Sequence, residues 1–456
     1  MRRRFATNRC LLGWLLTCLT LSAAARTRPH YGGTLRIETQ GDAWQMPDGI
    51  ARRLVLDTLT TVSDTGGAQP ALALRWESQN AAHRWEFWIR PGVRFQDGEP
   101  LTSDAVAEAL STLCARPIPG IGACPWRMAR GVGPAVVFTA DAPVPDLPEL
   151  LAQTEFAIER QDATGAVIGT GPYRVTGFAN GALLLAASDD CWAGRPFIDT
   201  IQVRTRRTVR DQWLDLSVGR ADVVEVPPEL LRQANQQHLT VFVSGPVDLL
   251  ALTIAPSGRF AGREMRQAAA LAVDRTALYN VIFQKQGEIT ASLLPEELSG
   301  YAFLFPSDRN LEQARALRGG AAAAPLLLGS QDTSAVMQLA AERLALNLDE
   351  AGFNVQAASA ASRPPWPLEL RQVHLQATDP AAALDEMLAR FGQNGSVTGA
   401  DAASLWQQES GVLQNDTVVP LLWLPRAWAV GERVRDLRLL PDGEPDLSDA
   451  SLEGGK

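Results

Sequence analysis

The chain has 456 residues, enough for about two or three packed units. An apolar share of 46% and a charged share of 20% are those of a globular protein, which excludes collagen-like, coiled-coil and wholly disordered chains. The formal charge is −9 and the pI near 5.2, which argues against a nucleic-acid partner, because such a partner calls for a basic face.

Arg2, Arg3, Arg4 and Arg9 make a basic start, Leu11 to Leu21 a short apolar core, and Ser22 to Ala25 a run of small residues. This pattern predicts a secretory signal over residues 1–25, cleaved after Ala25. The core is too short to span a bilayer. Thr17 is a poor neighbour for a lipidated cysteine, so no anchor is expected at Cys18. Cleavage removes four Arg and no acids and leaves a charge of −13. No later stretch is long and apolar enough to cross a membrane. The mature chain is therefore expected to be soluble and periplasmic or extracellular.

Thr34 to Glu38 follow a Gly pair with strand-like alternation. Trp44 lies in the next loop, where an aromatic either stacks on a ligand or packs. Residues 52–62 carry an apolar face. Arg84 to Arg90 reads as a strand, Asp97-Gly98 as a turn, and Thr102-Ser103-Asp104 as the cap of a helix ending near Leu113. Trp85 and Trp88, three apart in that strand, face opposite sides, so one should be buried. Export permits disulfides, and the Pro/Gly-rich loop between Cys114 and Cys124 can double back, so these two are the disulfide candidates; two free thiols are the alternative. Residues 165–210 read as strand and turn. Arg263 to Phe283 and Ser334 to Ala351 repeat apolar residues at helical spacing, the second stopped by Gly352. Val418 to Leu424 reads as a strand interrupted by Pro420. The acidic, Gly/Pro-rich tail from Pro441 is expected to fray.

Signatures of catalysis are missing. His30, His83, His238 and His374 do not stand at zinc-site spacing, and there is no Gly-x-Ser-x-Gly elbow. Neither Lys lies in a phosphate loop. The Gly-x-Gly pairs lack the third glycine of a dinucleotide site. The chain is expected to be no enzyme, with no cofactor and no metal.

Several segments, in order, resemble the bacterial extracellular solute-binding proteins of family 5, the peptide- and nickel-type receptors of ABC importers. They are Tyr31 to Arg36, Trp85 to Val106 with its Arg-Pro-Gly-Val and Asp-Gly, Gly169-Thr-Gly-Pro-Tyr173, Cys191 to Asp199, and Arg263 to Arg275. The resemblance implies an α/β fold of two lobes, like the type II periplasmic binding proteins, with a subdomain inserted in the first lobe. The implied division is 26–50 with 168–250 and 418–456 as first lobe, 51–167 as inserted subdomain, and 251–417 as second lobe. The chain is shorter than is usual for the family, mostly after about residue 355.

The implied function is capture of a small ligand, of the peptide or oligosaccharide class, and delivery to an ABC permease in the inner membrane, with the protein a monomer. The alternative is a degenerate member that acts as a partner-binding scaffold. Peptide receptors of the family hold the ligand ammonium on an Asp that precedes an Asp-Pro pair. Here Gln376 stands at that position, ahead of Asp379-Pro380. The ligand-binding candidates are therefore Trp44, Gln376 and Asp379. An amide in place of the carboxylate forgoes about 1.5–3 kcal/mol of charge-assisted bonding, so ligands without an essential free amine are expected.

Overall fold

A computed structural model describes residues 30–453, apart from 43–48, 64–66, 119–120, 163, 321–323, 360–361, 394–396, 398 and 400. The signal segment 1–25 and Trp44 lie outside the described residues.

The main sheet has eleven strands. They are β1 (Thr34–Glu38), β2 (Tyr173–Ala179), β3 (Ala182–Ala187), β4 (Thr200–Arg204), β5 (Val223–Glu225), β6 (Thr240–Ile254), β7 (Glu288–Ile289), β8 (Leu326–Gly329), β9 (Val355–Ala357), β10 (Leu368–His374) and β11 (Val418–Val430). Their spatial order is β2-β3-β4-β1-β5-β11-β6-β10-β8-β9, with β7 also on β11. Helices around them include α1 (Ile50–Val55), α2 (Ser103–Leu113), α3 (Arg263–Ala272), α4 (Ala335–Glu350), α5 (Pro380–Arg390) and α6 (Ala402–Leu413).

Two strands join the halves of this sheet. β6 has 15 residues and β11 has 13, and they pair antiparallel from Thr240↔Val430 to Thr253↔Val418. At one end β11 also pairs with β5; at the other, β6 pairs with β10. Between these ends the register shifts at Val243/Pro246, Pro246/Asp248 and Leu250/Ala251. Pro246, Pro420 and Pro425 lie in these stretches and have no N–H to give, so the ladder cannot run unbroken there. Pro420 thus interrupts the pairing without ending the strand, which runs on to Val430.

Each half has its own core. Leu35, Ile37, Val203, Trp428 and Leu452 close one. Leu252, Phe260, Leu344, Leu368 and Leu422 close the other on one face of the sheet, and Leu249, Leu375, Met387, Leu405 and Trp423 on the opposite face. Each fully buried Leu or Ile contributes about 1.5–3 kcal/mol. A third core lies under a four-stranded sheet in the order Ala73–Gln79, Arg84–Ile89, Ala135–Thr139, Met128–Val132, and gathers Phe87, Val106, Phe138 and Phe156. Trp85 is buried there; Trp88 lies on the opposite face, with the Arg75 guanidinium 3.5 Å from its ring centroid. Cys114 and Cys124 form a disulfide with Cα atoms 5.6 Å apart.

Local signals explain the helix ends. Thr102 Oγ1 accepts from the Ala105 N–H at 3.1 Å and Ser334 Oγ from that of Met337 at 3.4 Å. Gly352 follows α4 with φ at +92°, a left-handed value that favours glycine. The apolar repeat over 263–283 is not one helix. Asp274 caps a new turn by accepting from the Ala277 N–H at 2.9 Å, and Arg275 is buried with its Nε 2.8 Å from the Pro420 carbonyl. Gly169 and Gly171 allow a close approach of chains rather than a tight turn. A Cβ at Gly169 would lie 2.1 Å from the Val55 carbonyl oxygen, and one at Gly171 would lie 2.8 Å from its carbon. Thr170 between them donates to the half-buried Asp57 carboxylate at 2.8 Å, as does Trp192 Nε1 at 2.8 Å. Burial raises the Asp57 pKa against both bonds.

The tail corrects the expectation of fraying. Leu447, Ala450 and Leu452 enter the first core. Asp442 pairs with Arg53 at 2.5 Å, and Glu444 with Arg426. An acidic, Gly/Pro-rich stretch looked solvated because its cationic partners are remote in sequence.

Candidate functional site in a polar pocket at the strand crossing

A pocket of about 380 Å³ opens beside the crossing of β6 and β11. Asp248 comes from β6 and Arg426 from β11. Glu369, Gln372 and His374 lie on β10, and Ser330, Gln331 and Asp332 follow β8. Along β10, Leu368 and Leu370 belong to the core, whereas Glu369, Arg371, Gln372 and His374 bring polar groups to the pocket.

Asp248 is the buried hub. Arg426 grips it with Nε 3.0 Å from Oδ2 and Nη2 3.1 Å from Oδ1. His374 Nδ1 lies 2.8 Å from Oδ1, and Gln372 Nε2 donates to Oδ2 at 3.2 Å. Burial alone would raise the Asp248 pKa. The Arg426 charge and the His374 bond outweigh it and hold the carboxyl well below the usual range. On the other side of the crossing, Glu225 accepts from the Gln40 N–H at 2.6 Å. Burial pushes its pKa up to about 7, and the nearby Glu444 charge adds to this, while the Gln40 bond and Arg426 oppose it.

Two carboxylates of the pocket have no cationic partner among the described residues. Glu369 Oε1 accepts from Gln331 Nε2 at 2.7 Å, and Asp332 Oδ1 from the Ser334 N–H at 2.7 Å. Arg371 also lines the pocket; its Nη2 donates to the Arg390 carbonyl at 3.0 Å, and its guanidinium lies 5.3 Å from the Phe391 ring centroid. Glu229, on the turn Pro228–Leu230, has its pKa raised by burial and further by the Asp332 charge. The lining thus combines the carboxylates of Asp248, Asp332 and Glu369 with the guanidinium groups of Arg371 and Arg426, the His374 ring and the amides of Gln331 and Gln372. Among the described residues no group of three or more His, Cys, Asp or Glu is placed to hold a metal ion.

The residues singled out in the sequence fall elsewhere. Trp44 lies outside the described residues. Gln376 is buried, its Oε1 accepting from the Thr154 N–H at 3.2 Å and hydroxyl at 3.0 Å, and its Nε2 donating to Glu155 at 2.9 Å. Asp379 Oδ1 caps α5 by accepting from the N–H groups of Ala381 and Ala382 at 3.0 and 3.1 Å. Neither side chain lines the pocket. Asp248, Gln331, Glu369 and Arg426 were missed. No local motif marks them, since Asp248 meets Arg426 across 178 residues of sequence.

The model of the bacterial extracellular solute-binding proteins, family 5, middle part, matches residues 67–403. The chain belongs to this family. YhjP of Bacillus subtilis is 28% identical over 240 residues, 51% of this chain and 39% of that protein, so the match spans less than half of this relative's length. NikA of Staphylococcus aureus, solved in complex with Ni(L-His)2, superposes with a TM-score of 0.79 at 17% identity, over 92% of this chain and 100% of NikA. DppA of Helicobacter pylori, in complex with the peptide STSA, does so with 0.79 at 14% identity, over 93% and 99%. At such identities the likeness shows the fold: α/β, of the two-lobed periplasmic binding type. Family and neighbours are binding proteins rather than enzymes. No helix among the described residues is long and apolar enough to cross a membrane.

Proposed function

We propose that this chain is an extracytoplasmic solute-binding protein that takes a small ligand between two lobes and delivers it to an ABC permease. In this reading residues 26–50, 168–250 and 418–456 form the first lobe, 51–167 its inserted subdomain and 251–417 the second lobe. The separate cores and the two long paired strands support three such units, with Ala51, Leu54, Val55 and Ala157 of the subdomain packing into the first-lobe core. Residues 1–25 direct export, and the mature protein acts as a monomer.

The observation that carries the reading is the polar pocket at the crossing strands. Asp248 is bonded there to Arg426 and His374, and Asp332 and Glu369 line the pocket with no ion pair among the described residues. Such carboxylates suit ligands rich in hydrogen-bond donors: the hydroxyls of an oligosaccharide or the N–H groups of a peptide. NikA and DppA, of the same fold, hold a nickel complex and a peptide. A ligand that touches both lobes binds the closed form better than the open one, and that difference is what shifts the population.

Calorimetric titration of the mature protein with oligosaccharides, N-acetylated peptides and free peptides tests this. At least one should bind with micromolar or tighter affinity, and Glu369→Gln with Asp332→Asn should weaken it at least tenfold. Binding that ignores both substitutions would place the ligand elsewhere. A partner-binding scaffold is the second reading, favoured by one observation: the chain's own Thr154 and Glu155 occupy the Gln376 amide. It requires that none of these solutes bind.

A further inference from the structure

Away from the pocket, the subdomain and the second lobe meet through a small set of buried polar groups. Glu155 sits in the turn Thr154–Phe156, above Phe156 and Leu151 of the subdomain core, and is wholly buried. Its Oε1 accepts from Arg390 Nη2 at 2.9 Å and its Oε2 from Gln376 Nε2 at 2.9 Å. The Gln376 oxygen takes the Thr154 N–H and hydroxyl in return. Both ends of one amide and both oxygens of one carboxylate are thus spent across the interface.

Each surface is also braced by bonds within its own unit. In the second lobe, Glu386 accepts from Arg390 Nε at 2.8 Å and from the N–H groups of Gln376 and Ala377 at 3.1 and 2.9 Å. This fixes the guanidinium and the Gln376 loop in one geometry. In the subdomain, Arg52 donates from Nε to the Thr154 carbonyl at 3.3 Å and pairs with Glu159 at 2.7 Å. Preorganised partners lose little entropy on docking. Were the lobes to part, Glu155 and the Gln376 amide would lose these bonds, while Arg390 would keep Glu386 and the Thr154 carbonyl would keep Arg52. A buried ion pair adds modest net energy but specifies geometry strongly, because a misplaced charge in this setting is costly.

We propose that Thr154 and Glu155 form a latch that docks on Gln376 and Arg390 and holds the lobes closed with no solute present. The inference rests on the two-lobed solute-binding reading. A latch raises the closed fraction of the free protein. It reduces the conformational cost a ligand must meet and narrows the difference between free and bound forms.

Small-angle scattering of the solute-free mature protein tests the latch. Gln376→Glu sets a second carboxylate against Glu155, and Glu155→Gln removes the charge that Arg390 holds. Both should shift the radius of gyration and largest dimension upward from wild type, the first variant more. Unchanged scattering from folded variants would overturn the latch. Hydrogen exchange on the wild type needs no variant. The Thr154 amide should exchange at least tenfold more slowly than the exposed turn amides at Thr164 and Gly165, and exchange as fast as theirs would also overturn the proposal. No solute enters either experiment. A chain that opens on Gln376→Glu yet binds no oligosaccharide or peptide would keep the latch and lose the transport reading.

Discussion

Asp248 and Arg426 face each other across the two strands that join the halves of the molecule, in a two-bonded pair with Nε–Oδ2 of 3.0 Å and Nη2–Oδ1 of 3.1 Å. Arg426 also holds Glu444, so one guanidinium ties the strand crossing to the C-terminal segment. Arg426→Met leaves two buried carboxylates without their cation. Breaking such a pair costs about 3–5 kcal/mol. Thermal and urea unfolding should show a loss of about 3 kcal/mol, and one below 1 kcal/mol would mean the pair is readily hydrated.

Glu409 predicts a pH dependence. It is buried on α6 and accepts from Ser292 Oγ at 2.8 Å, Tyr301 Oη at 2.5 Å and the Leu293 N–H. Burial pushes its pKa from 4.5 up to about 7 against these bonds. The folded state therefore holds a proton that the unfolded chain releases. Its stabilising share is full below pH 4.5 and lost as pH rises through 7. Glu409→Gln should flatten the stability profile between pH 5 and 8, by on the order of 2 kcal/mol. Glu225, also raised to about 7, acts with the same sign and should leave part of the slope in place. A profile as steep as wild type would contradict this assignment.

The disulfide gives a local prediction. Cys114 and Cys124 are 10 residues apart, and closing so short a loop contributes about 2–3 kcal/mol on the chain-entropy model. Cys114→Ser with Cys124→Ser should destabilise the four-stranded sheet and its core by that amount, read as faster amide exchange across Arg84–Ile89 and Ala135–Thr139. Exchange there equal to wild type would show that the loop is held by other contacts.

Gly169→Ala should be costly for a packing reason. The new methyl would meet the Val55 carbonyl oxygen, which is backbone and cannot move aside cheaply. Overpacking of this kind costs about 1–3 kcal/mol. A melting temperature unchanged by the substitution would show that α1 shifts freely.

Much of the fold was legible because its signals are local. Thr102 and Ser334 announce their helices, Gly352 ends one, and the block from Trp85 to Val106 lays out a strand, a turn and a capped helix in consecutive residues. The pocket was not legible. Asp248 meets His374 across 126 residues; outside the pocket, Glu155 likewise meets Gln376 across 221, and nothing near any of them records the partner. The tail misled for the same reason: Asp442 and Glu444 find Arg53 and Arg426 only in the folded chain. Gln376 was picked out by its place beside Asp379-Pro380, but its surroundings come from the turn Thr154–Phe156.

The most direct test of the solute-binding account is native mass spectrometry of the mature protein isolated from its own extracytoplasmic fraction. The account predicts a peak heavier than the polypeptide by one small molecule, which separates on denaturation and is depleted in the Asp332→Asn, Glu369→Gln double variant. A bare polypeptide mass, together with no binding of any oligosaccharide or peptide by the same sample, would contradict it.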